Sequence, residues 1–249
     1  MCFLSNSGHP SSSLSCSDII GLLYFDIMDH KQDKFILSKG HAAPSLYSAL
    51  MINKQISTDL INELRKIDSP LQGHPDVTRL PQVNVTTGAL GQGLSFALGL
   101  ALARKVTNRK GYIYALIGDG EMQEGQVWES AMFGGNNELN NLIVFLDNNQ
   151  GQSDGSIDDI MPINPIKKKW ESFGWLVEEV DGHDIKEIQK KISDYKLSNT
   201  SSPLMVVAKT KKGYINENLT ILEGKHGGVV DKDVLSEIEK ELKEVIDSI

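Results

Sequence analysis

Apolar residues crowd the stretch 18–29 (Ile19, Ile20, Leu22, Leu23, Phe25, Ile27 and Met28) more densely than one amphipathic stripe allows, which predicts a largely buried helix. A second helix is expected over 43–51. A third follows Ser57 as N-cap, with Leu60, Ile61, Leu64 and Ile67 at helical spacing before Pro70 stops it. Over 90–106 the small residues Gly91, Gly93, Ala97, Gly99, Ala101 and Ala103 alternate with Leu94, Phe96, Leu98, Leu100 and Leu102, the pattern of a closely packed helix reached through a glycine loop. Short aliphatic runs at 112–117, 142–146, 175–180 and 204–208 then have strand length, and helix-like segments at 126–136, 165–173 and 185–195 separate them. This alternation predicts an α/β fold, a parallel sheet flanked by helices on both faces. A charged amphipathic helix over 231–249 closes the chain.

Composition narrows the classes further. The 249 residues show no repeat, low-complexity tract or Pro-rich linker, so residues 1–249 are expected to form a single domain. Thirty-three acidic against twenty-five basic residues give a formal charge of −8, which argues against a phosphate-backbone binder of nucleic acid and against an anionic membrane surface. No apolar run approaches the roughly 20 residues that span a bilayer. Cys2 and Cys16 are the only cysteines, and the first residues lack the basic flank and apolar region of a signal peptide. A cytoplasmic protein with reduced thiols is expected.

The most informative stretch is Gly118-Asp119-Gly120-Glu121-Met122-Gln123-Glu124-Gly125, followed after a helix and a strand by Asp147-Asn148-Asn149. Both polar clusters fall just past the ends of successive predicted strands, where open α/β sheets bind ligands. Glycines beside Asp119 let backbone approach a ligand closely, and one carboxylate with one amide oxygen suits an Mg²⁺ that keeps positions for phosphate oxygens. Taken alone, each cluster also reads as an ordinary turn after a strand. Three of the six histidines stand in Gly-His-Pro or Lys-Gly-His sequences, which places them on rigid loops. No HExxH motif or helical His spacing supports a His/Asp metallohydrolase.

The interval of twenty-seven residues between Gly118-Asp119-Gly120 and Asn148-Asn149 resembles the thiamine diphosphate motif. With Gly8-His9-Pro10, Phe35-Ile36-Leu37-Ser38-Lys39-Gly40-His41, Gln72-Gly73-His74-Pro75, Thr87-Gly88-Ala89-Leu90-Gly91-Gln92-Gly93, Asp181-Gly182-His183-Asp184 and His226-Gly227, the chain resembles the diphosphate-binding (PP) part of transketolases, and more closely the N-terminal subunits of split transketolases. The resemblance implies Asp119 and Asn149 as Mg²⁺ ligands with the carbonyl of Gly151, and Gly120 as backbone at the diphosphate. It implies Gly88, Ala89 and Leu90 beside the cofactor rings, and Glu124 at a subunit interface. His41 falls to the diphosphate side, His9 and His74 to substrate hydroxyls, and His226 to proton transfer or diphosphate contact. Imidazoles suit proton movement at hydroxyls near neutral pH. His30 and His183 are read as structural, His183 supported by Asp181 and Asp184.

The resemblance further implies that the carboxylate activating the cofactor lies in a pyrimidine-binding domain on another polypeptide. A C-terminal transketolase subunit is therefore the expected partner, in an α2β2 assembly acting on sugars or sugar phosphates. With His9 so near the start of the given sequence, the helix that usually leads into the Gly-His-Pro loop in the family is expected to be missing, Ser11-Ser12-Ser13 replaces a usual glycine, and Tyr214-Ile215 stands where Lys-Gly is frequent. Within enzymes the alternative is a half of a deoxyxylulose-phosphate-synthase-like or ketoacid-decarboxylating enzyme. Outside them it is a non-catalytic module that retains the fold.

Overall fold

The computed structural model describes residues 1–222 and 228–247. Strands β1 (Lys34–Leu37), β2 (Ile113–Gly118) and β3 (Leu142–Asn148) are followed by a small antiparallel hairpin, β4 (Gly151–Gln152) with β5 (Gly155–Ser156), and then by β6 (Leu176–Asp181) and β7 (Leu204–Lys209). The five longer strands form one parallel sheet in the order β1-β2-β3-β7-β6. All carboxyl ends of these strands therefore open on one edge.

Helices α1 (Cys2–Ser5), α2 (Pro10–Leu14), α3 (Ser17–Leu22) and α4 (Ala43–Ile52) belong to the first part of the chain. Then come α5 (Gln92–Val106), α6 (Gly125–Asn136), α7 (Ile157–Ile160), α8 (Ile166–Ser172), α9 (Ile185–Leu197) and α10 (Lys232–Asp247). Successive strand side chains point to opposite faces. Tyr114, Leu116, Ile143, Phe145 and Val206 accordingly join the core under α3, α4 and α9. Ile113, Ala115, Ile117, Val144, Met205 and Val207 join a second core under α5, α6 and α8. Burial on both faces explains why β2, β3 and β7 read as unbroken aliphatic runs.

The expected strands and most helices form within a residue or two of their predicted bounds. The helix expected after Ser57 does not. Ser57 Oγ accepts the amide of Asp59, but only a 3₁₀ turn, Thr58–Asn62, follows. Arg65 and Asp68 have φ of 60° and 62°, and the Arg65 amide turns to the Leu71 carbonyl. These left-handed residues end the helical path, so Leu64 is buried while Ile67 lies in solvent. The helix from Ser17 also changes character, passing into a π turn over Leu23–Ile27 with Phe25 outside the core. Strand β1 is an addition to the expected elements. It is a short edge strand whose four residues lack a period.

Helix α5 is half buried: Leu94, Ala97, Leu98 and Ala101 face the core, while Phe96 is 51% exposed. Among the described residues no helix is long and apolar enough to cross a membrane.

Candidate active site

Loops at the carboxyl ends of β1, β2 and β3 meet the Gly8–Pro10 and Gly73–Leu90 segments around a cavity of about 410 Å³. Gly118 pairs in register with Asp147, so the twenty-seven-residue interval closes in space into two adjacent strand ends.

Beneath the cavity lies a buried polar cluster. Asp147 accepts from Ser15 Oγ at 2.6 Å, from Asn149 Nδ2 at 3.0 Å, from Thr210 Oγ1 and from Lys39 Nζ. Lys39 also donates to the Ser12 carbonyl at 3.2 Å. Burial disfavours both charges, yet their pairing prevails: the ammonium of Lys39 is held above its usual range and the carboxyl of Asp147 below it. Because an ionised carboxylate only accepts, the amide NH₂ of Asn149 must face Asp147. Its Oδ1 is thereby turned to the other side, where it accepts from the Gly151 amide at 3.2 Å.

Glu121 performs a second tie. Its carboxylate accepts from Ser38 Oγ, from the Gly91 amide at 2.8 Å and from the Gly118 amide at 3.0 Å. One side chain thus fastens the end of β1, the start of α5 and the end of β2 to one another.

Asp119 is buried and accepts from the amides of Gly120 at 2.8 Å and Gln150 at 2.5 Å. Burial first, and then the nearby Asp147 charge, push its carboxyl up to about 6. A cation against Asp119 would reverse that push. Asp119, the Asn149 amide oxygen and the Gly151 carbonyl are all hard oxygen donors, the set that suits Mg²⁺ with open positions for diphosphate. Among the described residues no cluster of three His, Cys, Asp or Glu side chains is placed to hold a metal, so a metal here relies on these mixed donors. Two glycines let the walls of the cavity pack closely. A Cβ on Gly120 would stand 2.9 Å from Gln152 Cβ, and Gly88, at φ 142°, lies so close to His74 that a Cβ would meet its ring at 2.9 Å.

His9, His41 and His74 line the same cavity with Gly88, Leu90, Gly120 and Glu124. The rings of His9 and His41 meet edge-on with centroids 5.3 Å apart. Burial, and then the Arg65 charge, hold His9 and His74 below the ordinary imidazole range. Ala89 lies between two lining residues and is not itself part of the wall. His226 lies outside the described residues. His30 and His183 are away from the cavity. His30 binds the Tyr24 carbonyl at 2.7 Å. His183 is supported differently from expectation: its Nδ1 faces Asp18 at 2.7 Å, its amide donates to Asp181, and Asp184 instead caps α9.

Sequence reasoning did not single out Lys39, Asp147, Glu121 or Lys212. Lys212 also lines the cavity, its ammonium beside Gly151. Asp147 and Glu121 stand inside the recognised polar clusters, and charged residues in the first positions after an aliphatic strand were the signal available for them.

A family model described as "Transketolase, thiamine diphosphate binding domain" matches residues 4–244. The chain is 39% identical over 214 residues to the 6-deoxy-6-sulfo-D-fructose transketolase subunit SqwG of Clostridium sp. (strain MSTE9), covering 83% of this chain and 78% of that one. It is 33% identical over 258 residues to an apulose-4-phosphate transketolase subunit of Phocaeicola vulgatus, covering 99% and 90%. The crystal structure of transketolase from Campylobacter jejuni superposes with a TM-score of 0.87 at 29% identity, covering 96% of this chain and 41% of that one. The chain thus spans most of the length of the two subunits and about two fifths of the longer enzyme. With the fold, the cavity and these matches in agreement, the chain belongs to the transketolase family, as its thiamine diphosphate-binding domain.

Proposed function

We propose that this chain is the N-terminal subunit of a two-chain transketolase, a transferase that moves a two-carbon ketol unit from a ketose to an aldose acceptor. The observation that carries the reading is the convergence of Asp119, Asn149 and Gly151 with His9, His41 and His74 on one cavity. Residues 1–249 act as one diphosphate-binding domain, in the cytoplasm, where the free and buried Cys2 and Cys16 stay reduced.

Asp119, Asn149 and the Gly151 carbonyl would hold Mg²⁺, which would supply positive charge for a diphosphate, and Gly120, His41 and Lys212 line the same cavity. Gly88 and Leu90 form the wall against the rings, with Ala89 linking them behind it. When bound, thiamine diphosphate supplies a nucleophilic carbon and an electron sink for breaking the bond beside a ketose carbonyl. Neutral imidazoles can donate or accept a proton, and the lowered pKa of His9 and His74 keeps them neutral at pH 7. They orient the substrate hydroxyls and carry the proton exchanged there. His226 joins them in proton transfer or at the diphosphate.

The C-terminal subunit completes the site by supplying the pyrimidine-binding domain, in an α2β2 assembly. Glu124, exposed at the cavity mouth, lies where that interface forms. The outer face of α5 continues it: Phe96 and Leu100 border an apolar hollow of about 560 Å³. The two related subunits are named for a sulfonated ketose and a ketose phosphate. A sugar or sugar phosphate fits this chain too, its anionic end held by the partner.

The test is reconstitution with the co-purifying second chain, Mg²⁺ and thiamine diphosphate. Ketose-dependent transfer that disappears with Asp119→Ala supports the reading. Consumption of pyruvate in place of a ketose moves the chain to the deoxyxylulose-phosphate-synthase-like or decarboxylating alternative. Full Mg²⁺-dependent activity after Asp119→Ala contradicts the metal assignment.

A further inference from the structure

The His9 ring is hydrogen-bonded to a side chain that can only donate. Arg65 Nη2 lies 3.3 Å from His9 Nδ1. A guanidinium carries no acceptor and stays protonated in proteins. In the neutral ring Nδ1 therefore bears the lone pair, and the proton sits on Nε2.

Three features hold the guanidinium in place. Arg65 takes a left-handed φ of 60°, fixed by its amide bond to the Leu71 carbonyl at 2.8 Å. Its Nη1 donates to Ser7 Oγ at 3.0 Å, two residues before His9. Gly73 gives it room, since a Cβ there would stand 2.8 Å from Nε and 3.2 Å from Cζ. Arg65 thus bridges the two Gly-His-Pro loops, one carrying His9 and the other His74.

We propose that Arg65 is a positioning residue for ketol transfer, fixing His9 in the Nε2–H tautomer so that the ring presents a donor to a substrate oxygen. The proposal rests on the reading of His9 as a substrate-facing residue. It gives a role to a non-glycine residue in left-handed backbone beside the site, and to the glycine at position 73, where a side chain would displace the guanidinium. Lysine does not reproduce the arrangement, because a single ammonium cannot span Ser7 and His9 in the plane of a fork.

Long-range proton–nitrogen correlation spectra of the full chain with ¹⁵N-histidine read the two ring nitrogens directly, His9 being assigned with His9→Gln. The expected spectrum has an acceptor-type Nδ1 and a protonated Nε2 for His9. Arg65→Met relaxes this to a mixture of tautomers, and Arg65→Lys does so in part. In the reconstituted enzyme Arg65→Met lowers kcat/KM about tenfold or more, the effect of one misdirected charge-assisted hydrogen bond, with thiamine diphosphate affinity unchanged. If Arg65→Met does not fold, Gly73→Ala displaces the guanidinium and carries the same expectation. A His9 that is protonated on Nδ1, or a tautomer unmoved by these substitutions, overturns the proposal. So does a tautomer change without loss of kcat/KM. In that case His9→Gln separates the two readings: an impaired His9→Gln leaves His9 at the substrate, and an unimpaired one removes it from the site.

Discussion

Lys39, two residues beyond β1, and Asp147, near the end of β3, form an ion pair in which both side chains are buried. The pair sits below the proposed metal ligands, and Asp147 turns the Asn149 amide so that its oxygen faces the other way. Lys39 also lines the cavity, so the charge balance of the pair reaches the site both directly and through Asn149.

Breaking that pair on one side leaves an uncompensated buried charge, which costs about 3–5 kcal/mol. Lys39→Met is expected to lower the unfolding free energy in urea by that amount. The double variant Lys39→Met with Asp147→Asn recovers most of the loss, since no bare charge remains. A single variant as stable as the parent contradicts the buried pairing.

Glu121 is the only acceptor assigned to two buried amides, those of Gly91 and Gly118, among the described hydrogen bonds. An unsatisfied buried donor costs about 1–3 kcal/mol. Glu121→Ala should destabilise the chain by about 2–4 kcal/mol and weaken thiamine diphosphate binding, because the three segments it ties all border the cavity. Denaturation midpoints and calorimetric titration check the two effects separately.

The histidines set a pH dependence. His9 and His74 are held below the ordinary imidazole pKa by burial and by Arg65, so just below about pH 6.5 the unfolded chain binds more protons than the folded one. Stability from this source is fully present above that pH and is lost as pH falls through the unfolded and then the folded pKa. Asp119, its carboxyl pushed up to about 6, takes up a proton in the folded chain and works the opposite way over the same range, so the histidine part is read by difference: as pH falls from 7.5 to 5.5, the urea midpoint of the double variant His9→Gln, His74→Gln should rise relative to that of the parent.

The outer face of α5 supplies a test of assembly. A Cβ on Gly99 would meet nothing within 4 Å, and Gly→Arg within a helix improves propensity by about 1 kcal/mol. Gly99→Arg is expected to leave the isolated chain folded and no less stable while disrupting the assembly, read by light scattering after size exclusion. An intact assembly with this variant removes α5 from the interface.

What was legible in the sequence followed physical regularities of short range. Aliphatic runs buried between two helical layers announced β2, β3 and β7, the short apolar stretch around Val177 and Val180 announced the edge strand β6, and the glycine-flanked Asp119 with Asn149 announced the strand ends that border the cavity. The turn after Ser57 defeated the reading because helical spacing of Leu60, Leu64 and Ile67 says nothing about the left-handed backbone at Arg65 and Asp68. Strand β1 escaped because four residues carry no usable period. The cluster of Ser15, Lys39, Asp147 and Thr210 escaped for another reason: its members come from four separated segments and meet only once the sheet order is set. Glu124 drew attention through family resemblance, whereas Glu121, three residues earlier, makes the buried bonds.

The central claim is that this chain contributes one half of a site for thiamine diphosphate. Native mass spectrometry of the tagged chain recovered from its own cells, in buffer with Mg²⁺ and thiamine diphosphate, tests it most directly. The expected result is a complex containing a second polypeptide and bound cofactor, with the cofactor mass lost in Asp119→Ala. The chain recovered alone and without cofactor would contradict it.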